Sequence, residues 1–104
     1  MKRKELASIL SQVAPTTYNE WSGKRGVPSP PFIAYLDADP DIVPADNRAH
    51  IRHPRYRVEL YTAKGDDETE DSLDEKLDEE GIFFTKYGRE WLKDEHWYLT
   101  VYEI

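Results

Sequence analysis

In residues 55–62, RYRVELYT, mostly charged side chains alternate with mostly apolar ones over the whole stretch. Successive residues of a β-strand point to opposite faces of a sheet, so this pattern separates two faces. Strict alternation is typical of an antiparallel sheet that is buried on one face and solvated on the other. The stretch therefore predicts a strand with Tyr56, Val58, Leu60 and Thr62 on one face and Arg55, Arg57, Glu59 and Tyr61 on the other.

The part of the chain before this strand predicts one helix and one further strand. Apolar residues recur at helical spacing over residues 3–13, which predicts an amphipathic helix there. Residues 32–36, FIAYL, form a compact apolar run and predict a buried strand, and residues 18–21 offer an additional short one. The Gly/Pro-rich residues 22–31 predict a loop or arm, and residues 37–47 predict an irregular connection.

The acidic stretch DDETEDSLDEKLDEE, residues 66–80, predicts a second helix. Leu73 and Leu77 are four positions apart and would share its buried side. Asp67 followed by Glu70 resembles a capping box, and Gly81 is well placed as the C-terminal cap. With so little apolar surface, this helix is expected to depend on docking against the rest of the protein.

Two further apolar runs, residues 82–87 and 96–104, predict the last strands. The resulting order is α-β-β-α-β-β. Runs of strands joined by short connections are typical of the α+β class. We therefore predict one α+β domain over residues 1–104, with a mostly antiparallel sheet and two α-helices packed on one face.

Composition excludes several classes of site. The 104 residues include no cysteine, which excludes disulfides, thiolate metal sites and cysteine nucleophiles. No apolar run approaches the roughly 20 residues of a membrane-spanning helix, so no membrane partner is expected. The formal charge of −7 argues against nucleic acid as the primary ligand.

The charge is divided unevenly along the chain. Residues 66–80 contain ten acidic residues and one lysine, whereas residues 47–58, NRAHIRHPRYRV, contain four arginines and no acid. Such bipolar charge suits a head-to-tail contact between copies of one chain, although a solvated helix face and an Arg-rich strand would give the same pattern. The predicted interaction residues are Asp71, Glu75, Asp78 and Glu79 on one side and Arg48, Arg52, Arg55 and Arg57 of a neighbouring subunit or connector protein on the other.

Motifs for catalysis or metal binding are weak. Asp37, Asp39 and Asp41 resemble the start of a calcium loop, but Ile42 and Arg48 stand where that loop needs Gly and Glu. The spacing of His50 and His53 would separate them in an extended chain, which makes zinc improbable. No phosphate-binding glycine motif and no nucleophile elbow is present. We therefore predict a non-enzyme without a cofactor or a metal.

The whole chain resembles a family of small phage proteins. The resemblance is carried by PFIAYL at residues 31–36, ADN at 45–47, YRVELYTAK at 56–64, the acidic helix ending in Gly81-Ile82, and the Tyr/Val-rich last strand. These segments are similar to tail-completion or tail-to-head joining proteins of long-tailed phages and of prophages of Gram-positive bacteria. The resemblance implies a tail-terminator-like α+β subunit that forms a ring, contacts the tail tube and the head connector, and resides in the virion after synthesis in the host cytoplasm.

Two other functions stay open from the sequence. The acidic helix could imitate DNA phosphates and inhibit a DNA-binding protein, in which case salt-sensitive binding to a basic partner would occur without self-assembly. A small hydrolase or metal-dependent nuclease would use Asp37, Asp39 and Asp41, and divalent cations would then raise its melting temperature.

Overall fold

A computed structural model describes residues 2–21, 26–43 and 51–104. For residues 39–43 and 51–53 it describes the backbone but not the side chains. Two helices and six strands follow one another along the chain. Their bounds are α1 Arg3–Ser11, β1 Thr16–Tyr18, β2 Phe32–Val43, β3 Ile51–Ala63, α2 Asp67–Glu79, β4 Thr85–Lys86, β5 Glu90–Leu92 and β6 Trp97–Glu103.

All six strands belong to one sheet with the order β1-β2-β3-β6. The short strands β4 and β5 both pair with β6, antiparallel to it. Among the described strands, only the β1–β2 pair is parallel. The predicted α+β class with a mostly antiparallel sheet is therefore confirmed.

The alternation in β3 organises the core as predicted. Val58 is fully buried and pairs with Tyr35 on one side and Tyr102 on the other, so all three lie on the same face of the sheet. Both helices cover this face and contribute leucines to one cluster. The cluster contains Leu6 and Leu10 from α1, Leu73 and Leu77 from α2, and Ile33, Tyr35, Tyr56, Val58, Leu60 and Tyr102 from the sheet. Neither of these described helices has the length and apolar character required to cross a bilayer.

The prediction of an irregular connection over residues 37–47 is wrong for residues 37–43. These residues continue β2, because β3 begins at Ile51 and supplies a pairing partner. The register shifts between Ala38 and Asp41, and this irregularity accommodates Pro40, which has no backbone N–H to donate. Residues 44–47 lie outside the described ranges, as do residues 22–25 of the predicted loop.

The described strands near the C-terminus differ from their predicted bounds. Within residues 82–87 only Thr85–Lys86 is a strand, and the predicted connection after it contains Glu90–Leu92. These segments pair with successive parts of one edge of β6, a long-range partnership that local hydrophobicity does not reveal. The predicted helix over residues 3–13 ends at Ser11, two residues early.

The N-terminal cap of α2 is one residue earlier than the predicted capping box. The Asp66 carboxylate accepts hydrogen bonds from the Thr69 backbone N–H at 3.2 Å and from its hydroxyl at 2.7 Å. The expectation for Gly81 is confirmed, because this residue has φ +69° directly after the helix and its N–H donates to the Asp78 carbonyl.

The two leucines of α2 are expected to carry much of its docking energy. Leu77 is 0% exposed, so Leu77→Ala should lower the free energy of unfolding by about 2–4 kcal/mol through lost burial and the cavity left behind. Chemical denaturation measures this loss. The matched control is Ser72→Ala on the exposed side of the same helix, which should change stability by less than about 0.5 kcal/mol. Equal effects of the two substitutions would contradict the described orientation of α2.

Candidate functional site: the acidic helix and the helix-free face

Two carboxylates of α2 point toward the sheet rather than to solvent. Glu70 and Asp74 belong to the same helical stripe as Leu73 and Leu77, the residues that face the core. The Lys86 ammonium donates to Glu70 Oε2 at 2.7 Å and to Asp74 Oδ2 at 2.8 Å. The inward carboxylates therefore form a polar clamp between α2 and β4.

The neighbouring strand and loop complete this clamp. The Tyr102 hydroxyl donates to Asp74 Oδ1 at 2.7 Å, and the Thr100 hydroxyl donates to Glu70 Oε1 at 3.2 Å. Arg89 pairs with Asp67 at 2.8 Å and lies 3.7 Å from Glu70. Glu70 and Asp74, which looked like solvated charges in the sequence, are thus used inside the fold, whereas Asp67 pairs with Arg89 at the surface. Their helical spacing relative to Leu73 and Leu77 was the signal that could have identified Glu70 and Asp74.

The clamp shifts the pKa values of two of its members upward. For Lys86, burial lowers the pKa, but the hydrogen bonds and charges of Asp74 and Glu70 together raise it by more. For Tyr102, burial raises the pKa first, and the hydrogen bond to Asp74 adds to the shift. The protonated lysine and the neutral phenol are therefore the forms that the fold favours.

The same cluster is the only group of metal-ligating side chains among the described residues. Ligand atoms of Glu70, Asp71 and Asp74 lie within 4.8 Å of one another. The Lys86 ammonium already contacts two of these three carboxylates and supplies the positive charge that a metal ion would bring. The geometry therefore assigns Glu70 and Asp74 to docking of the helix.

The outer surface of α2 carries the acidic residues that the sequence predicts for interaction. All four are exposed, and none forms an ion pair with another residue in the described parts of the chain. Their positions, i, i+4, i+7 and i+8, place them on one side of the helix. We call this set the acidic stripe: Asp71, Glu75, Asp78 and Glu79.

The arginines predicted to face this stripe lie elsewhere. Arg55 and Arg57 occupy the helix-free face of the sheet, where Arg55 pairs with Glu103 at 3.4 Å and Arg57 pairs with Glu59 at 3.1 Å. Arg52 is in β3, opposite Ile42, but its side chain is outside the description. Arg48 lies outside the described residues altogether. Within the part described, the sheet separates the stripe from the arginines.

Among the residues that were considered as metal ligands and judged weak, Asp37 takes a structural role. Asp37 accepts hydrogen bonds from Arg3, at 3.2 Å, and from the Tyr18 hydroxyl, and so ties α1 and β1 to β2. The side chains of Asp39, Asp41 and His53 are outside the description, and His50 lies in residues 44–50, which are also outside it.

The helix-free face contains a concave aromatic site that the sequence did not predict. Phe32 forms its floor and is only 2% exposed although no helix covers it. The Tyr61 ring stacks on the Phe32 ring with their centroids 4.7 Å apart. Trp97 and Trp21 contact the Phe32 ring edge-on, with centroid distances of 5.4 and 5.9 Å. The concavity has a volume of about 520 Å³. We call it the aromatic cup, formed by Trp21, Phe32, Tyr61, Leu92, Trp97 and Leu99.

The rim of the aromatic cup is acidic. Glu20, Glu59 and Glu95 line it together with Asn19. Glu59 also accepts a hydrogen bond from the Tyr61 hydroxyl at 3.3 Å. Burial, followed by the Glu59 charge, raises the pKa of Tyr61 to about 12. The phenol thus stays neutral at physiological pH, and the charge at the rim is that of the carboxylates.

The molecule therefore presents two surfaces of different chemistry, the acidic stripe on α2 and the aromatic cup on the helix-free face. A scan of protein-family models and searches of curated proteins and of solved structures give no match for the chain.

Removing the cation of the clamp should destabilise the protein. In Lys86→Met, Glu70 and Asp74 would face each other without a positive charge between them, so the free energy of unfolding should fall by about 1–2 kcal/mol, a value discounted for partial solvent screening. Denaturant titration measures it. Lys64→Met, which replaces an exposed lysine, is the matched control and should change stability by less than about 0.5 kcal/mol. A loss no greater than the control's would show that the clamp does not hold α2.

Alkaline pH should destabilise the protein through the same cluster. Because the pKa values of Lys86 and Tyr102 are raised in the folded state, the unfolded chain loses these protons first as pH rises. Their contribution to stability is fully present below about pH 10, near the pKa of these groups in the unfolded chain. Above that pH, and up to the higher pKa of the folded state, each group lowers the free energy of unfolding by at most about 1.4 kcal/mol per pH unit. Denaturation between pH 9 and 12 should give a shallower slope for Tyr102→Phe than for the parent chain. Identical slopes would contradict the assignment.

Proposed function

We propose that this protein is a structural component of a phage or prophage virion that completes the tail and joins it to the head connector. It acts as a homo-oligomeric ring at the tail–head junction and is made in the bacterial host cytoplasm. The observation that carries the proposal is the acidic stripe, whose four exposed carboxylates form no ion pair with another described residue. Such exposed charge is available for contacts with neighbouring proteins.

The acidic stripe supports a contact with a different protein of the virion. Its four carboxylates are exposed and have no ion-pair partner among the described residues, while Glu70 and Asp74 fix the orientation of the helix beneath them. Arg55 and Arg57 are paired with Glu103 and Glu59 on the other face. A basic surface of the head connector is therefore the partner that we assign to the stripe.

The β2–β3 hairpin supports assembly in a second way. β1 pairs with residues 33–35 of β2, and β6 pairs with residues 57–63 of β3. Residues 41–43 and 51–53 pair only with each other among the described strands, and we call them the ribbon. A two-stranded ribbon is marginally stable alone and has two free edges, so it gains most when a neighbouring molecule contacts it.

The acidic stripe also favours one other function. Four exposed carboxylates on one side of a helix, without an ion-pair partner in the described part of the chain, would fit the basic groove of a DNA-binding protein, which the chain would then inhibit by charge mimicry. Salt-sensitive binding to such a partner in the absence of self-assembly would distinguish this function from the joining function.

Deleting the gene from the source prophage tests the joining function directly. After induction, electron microscopy should reveal filled heads beside unattached tails, because no ring connects the two. Re-expression of the chain from a plasmid is the control and should restore joined particles. Normal infectious particles in the deletion strain would overturn the proposal.

Reversing charge on the acidic stripe should weaken the contact with the connector. In the double variant Glu75→Lys and Glu79→Lys, joining in extracts should fall most at low salt, because exposed charges separated by more than about 10 Å are largely screened at 0.1 M salt. The fold should survive, since the change relieves repulsion between Asp71, Glu75 and Glu79.

The matched control makes the same change in charge away from the stripe. Glu90→Lys with Asp94→Lys alters two exposed acids at the β5–β6 hairpin and should leave joining unchanged. Equal losses in both double variants would mean that net charge, rather than the stripe, governs joining.

A further inference from the structure

The two ends of the β2–β3 pair lie in different parts of the molecule. Phe32 pairs with Tyr61 at one end, and both belong to the aromatic cup. Val43 pairs with Ile51 at the other end, in the ribbon. Val43 lies eleven residue steps along β2 from Phe32, a distance of about 36 Å at about 3.3 Å per residue. The cup and the end of the ribbon are therefore too far apart to meet within one subunit.

The aromatic cup has the chemistry of a cation site. Four aromatic side chains present rings to the concavity, and the faces of such rings attract ammonium and guanidinium groups. Glu20 and Glu95 add two exposed carboxylates that form no ion pair with described residues. No lysine, arginine or histidine is among the described residues that line the cup. A flat guanidinium group suits both the aromatic walls and the acidic rim.

We propose that the aromatic cup of one subunit binds an arginine side chain from residues 47–53 of a second copy, NRAHIRH. This segment, whose N-terminal part lies outside the described residues, contains Arg48 and Arg52 and no acid. The contact is heterologous, because it joins the arginine end of one subunit to the cup of the next, and repetition of such a contact closes a ring when the rotation between subunits completes a full turn. The inference rests on the proposed function for the ring and names its subunit contact.

A peptide titration tests the cup directly. The double variant Arg48→Gln and Arg52→Gln of the full chain cannot supply its own arginines, so its cup should be free for a synthetic peptide of residues 47–53. Added peptide should shift the NMR signals of the Trp21 and Trp97 indole N–H groups and leave that of Trp91, which lies outside the cup, unchanged. The same peptide with citrulline at both arginine positions should bind at least tenfold more weakly.

Neutralising the rim supplies the matched comparison. When Glu20→Gln and Glu95→Gln are added to the arginine double variant, its affinity for the peptide should fall about tenfold. When Glu90→Gln and Asp94→Asn are added instead, the affinity should not change. Equal binding of the arginine and citrulline peptides, or no indole shift, would overturn the proposal. If the peptide binds only after Lys24 and Arg25 have been replaced, residues 22–25 of the same chain are the occupant of the cup. That result would also overturn the proposal.

Mixing two defective chains tests the head-to-tail arrangement. A chain without the rim carboxylates keeps its arginines, and a chain without Arg48 and Arg52 keeps its cup. Each should sediment as a monomer at low salt, and a 1:1 mixture should form a heterodimer that grows no further. Absence of the heterodimer would overturn the proposed contact.

The outcome is separable from that of the proposed function. A prophage whose chromosomal copy carries Glu20→Gln and Glu95→Gln should yield unattached tails if both proposals hold. If the gene deletion blocks joining while these cup variants join normally, the cup contact is overturned and the joining function stands. If the peptide and mixing experiments succeed while the deletion strain is infectious, the joining function fails and the subunit contact stands.

Discussion

The Lys86 ammonium lies between Glu70 and Asp74 and, together with the buried Leu73 and Leu77, joins α2 to the sheet. The helix buries only two leucines, too little apolar surface to hold a short acidic helix by itself. Its inward carboxylates would repel each other without a cation between them. Lys86 neutralises these two carboxylates and so stabilises the orientation in which they face the sheet. In this orientation the acidic stripe lies on the solvent side of the helix.

The alternation of β3 separates the molecule into two chemical halves. One face takes the leucines of both helices and becomes the core, and the other keeps Arg57, Glu59 and Tyr61. Because β3 lies between β2 and β6, each side chain of the second face has neighbours from two strands. Phe32 and Trp97 reach Tyr61 in this way. The sheet that builds the core therefore also builds the cup on its reverse side.

Local patterns in the sequence predicted the helix-covered face but little of the other. The even residues of β3, the leucines of α2 and the cap at Gly81 follow from spacing alone, and each was predicted. Strand pairing of residues 37–43 depends on β3, which begins at Ile51, so no local window contains it. The cup was missed because its aromatic residues are spread from Trp21 to Trp97. Tyr61, an aromatic residue on the face predicted to be solvated, was the available signal.

The two proposed contacts differ in how they depend on water, and this difference suits a joining protein. The acidic stripe is open to solvent, so salt screens its attraction to a basic partner. In the cup, aromatic walls and a nearly buried floor shield a guanidinium group from water, which strengthens its attraction to the rings, whereas the exposed rim carboxylates Glu20 and Glu95 add an attraction that salt screens. Contacts between subunits would thus persist under conditions that loosen the contact with the connector. A ring could then form first and present its acidic stripes together, so that many weak contacts act as one strong one.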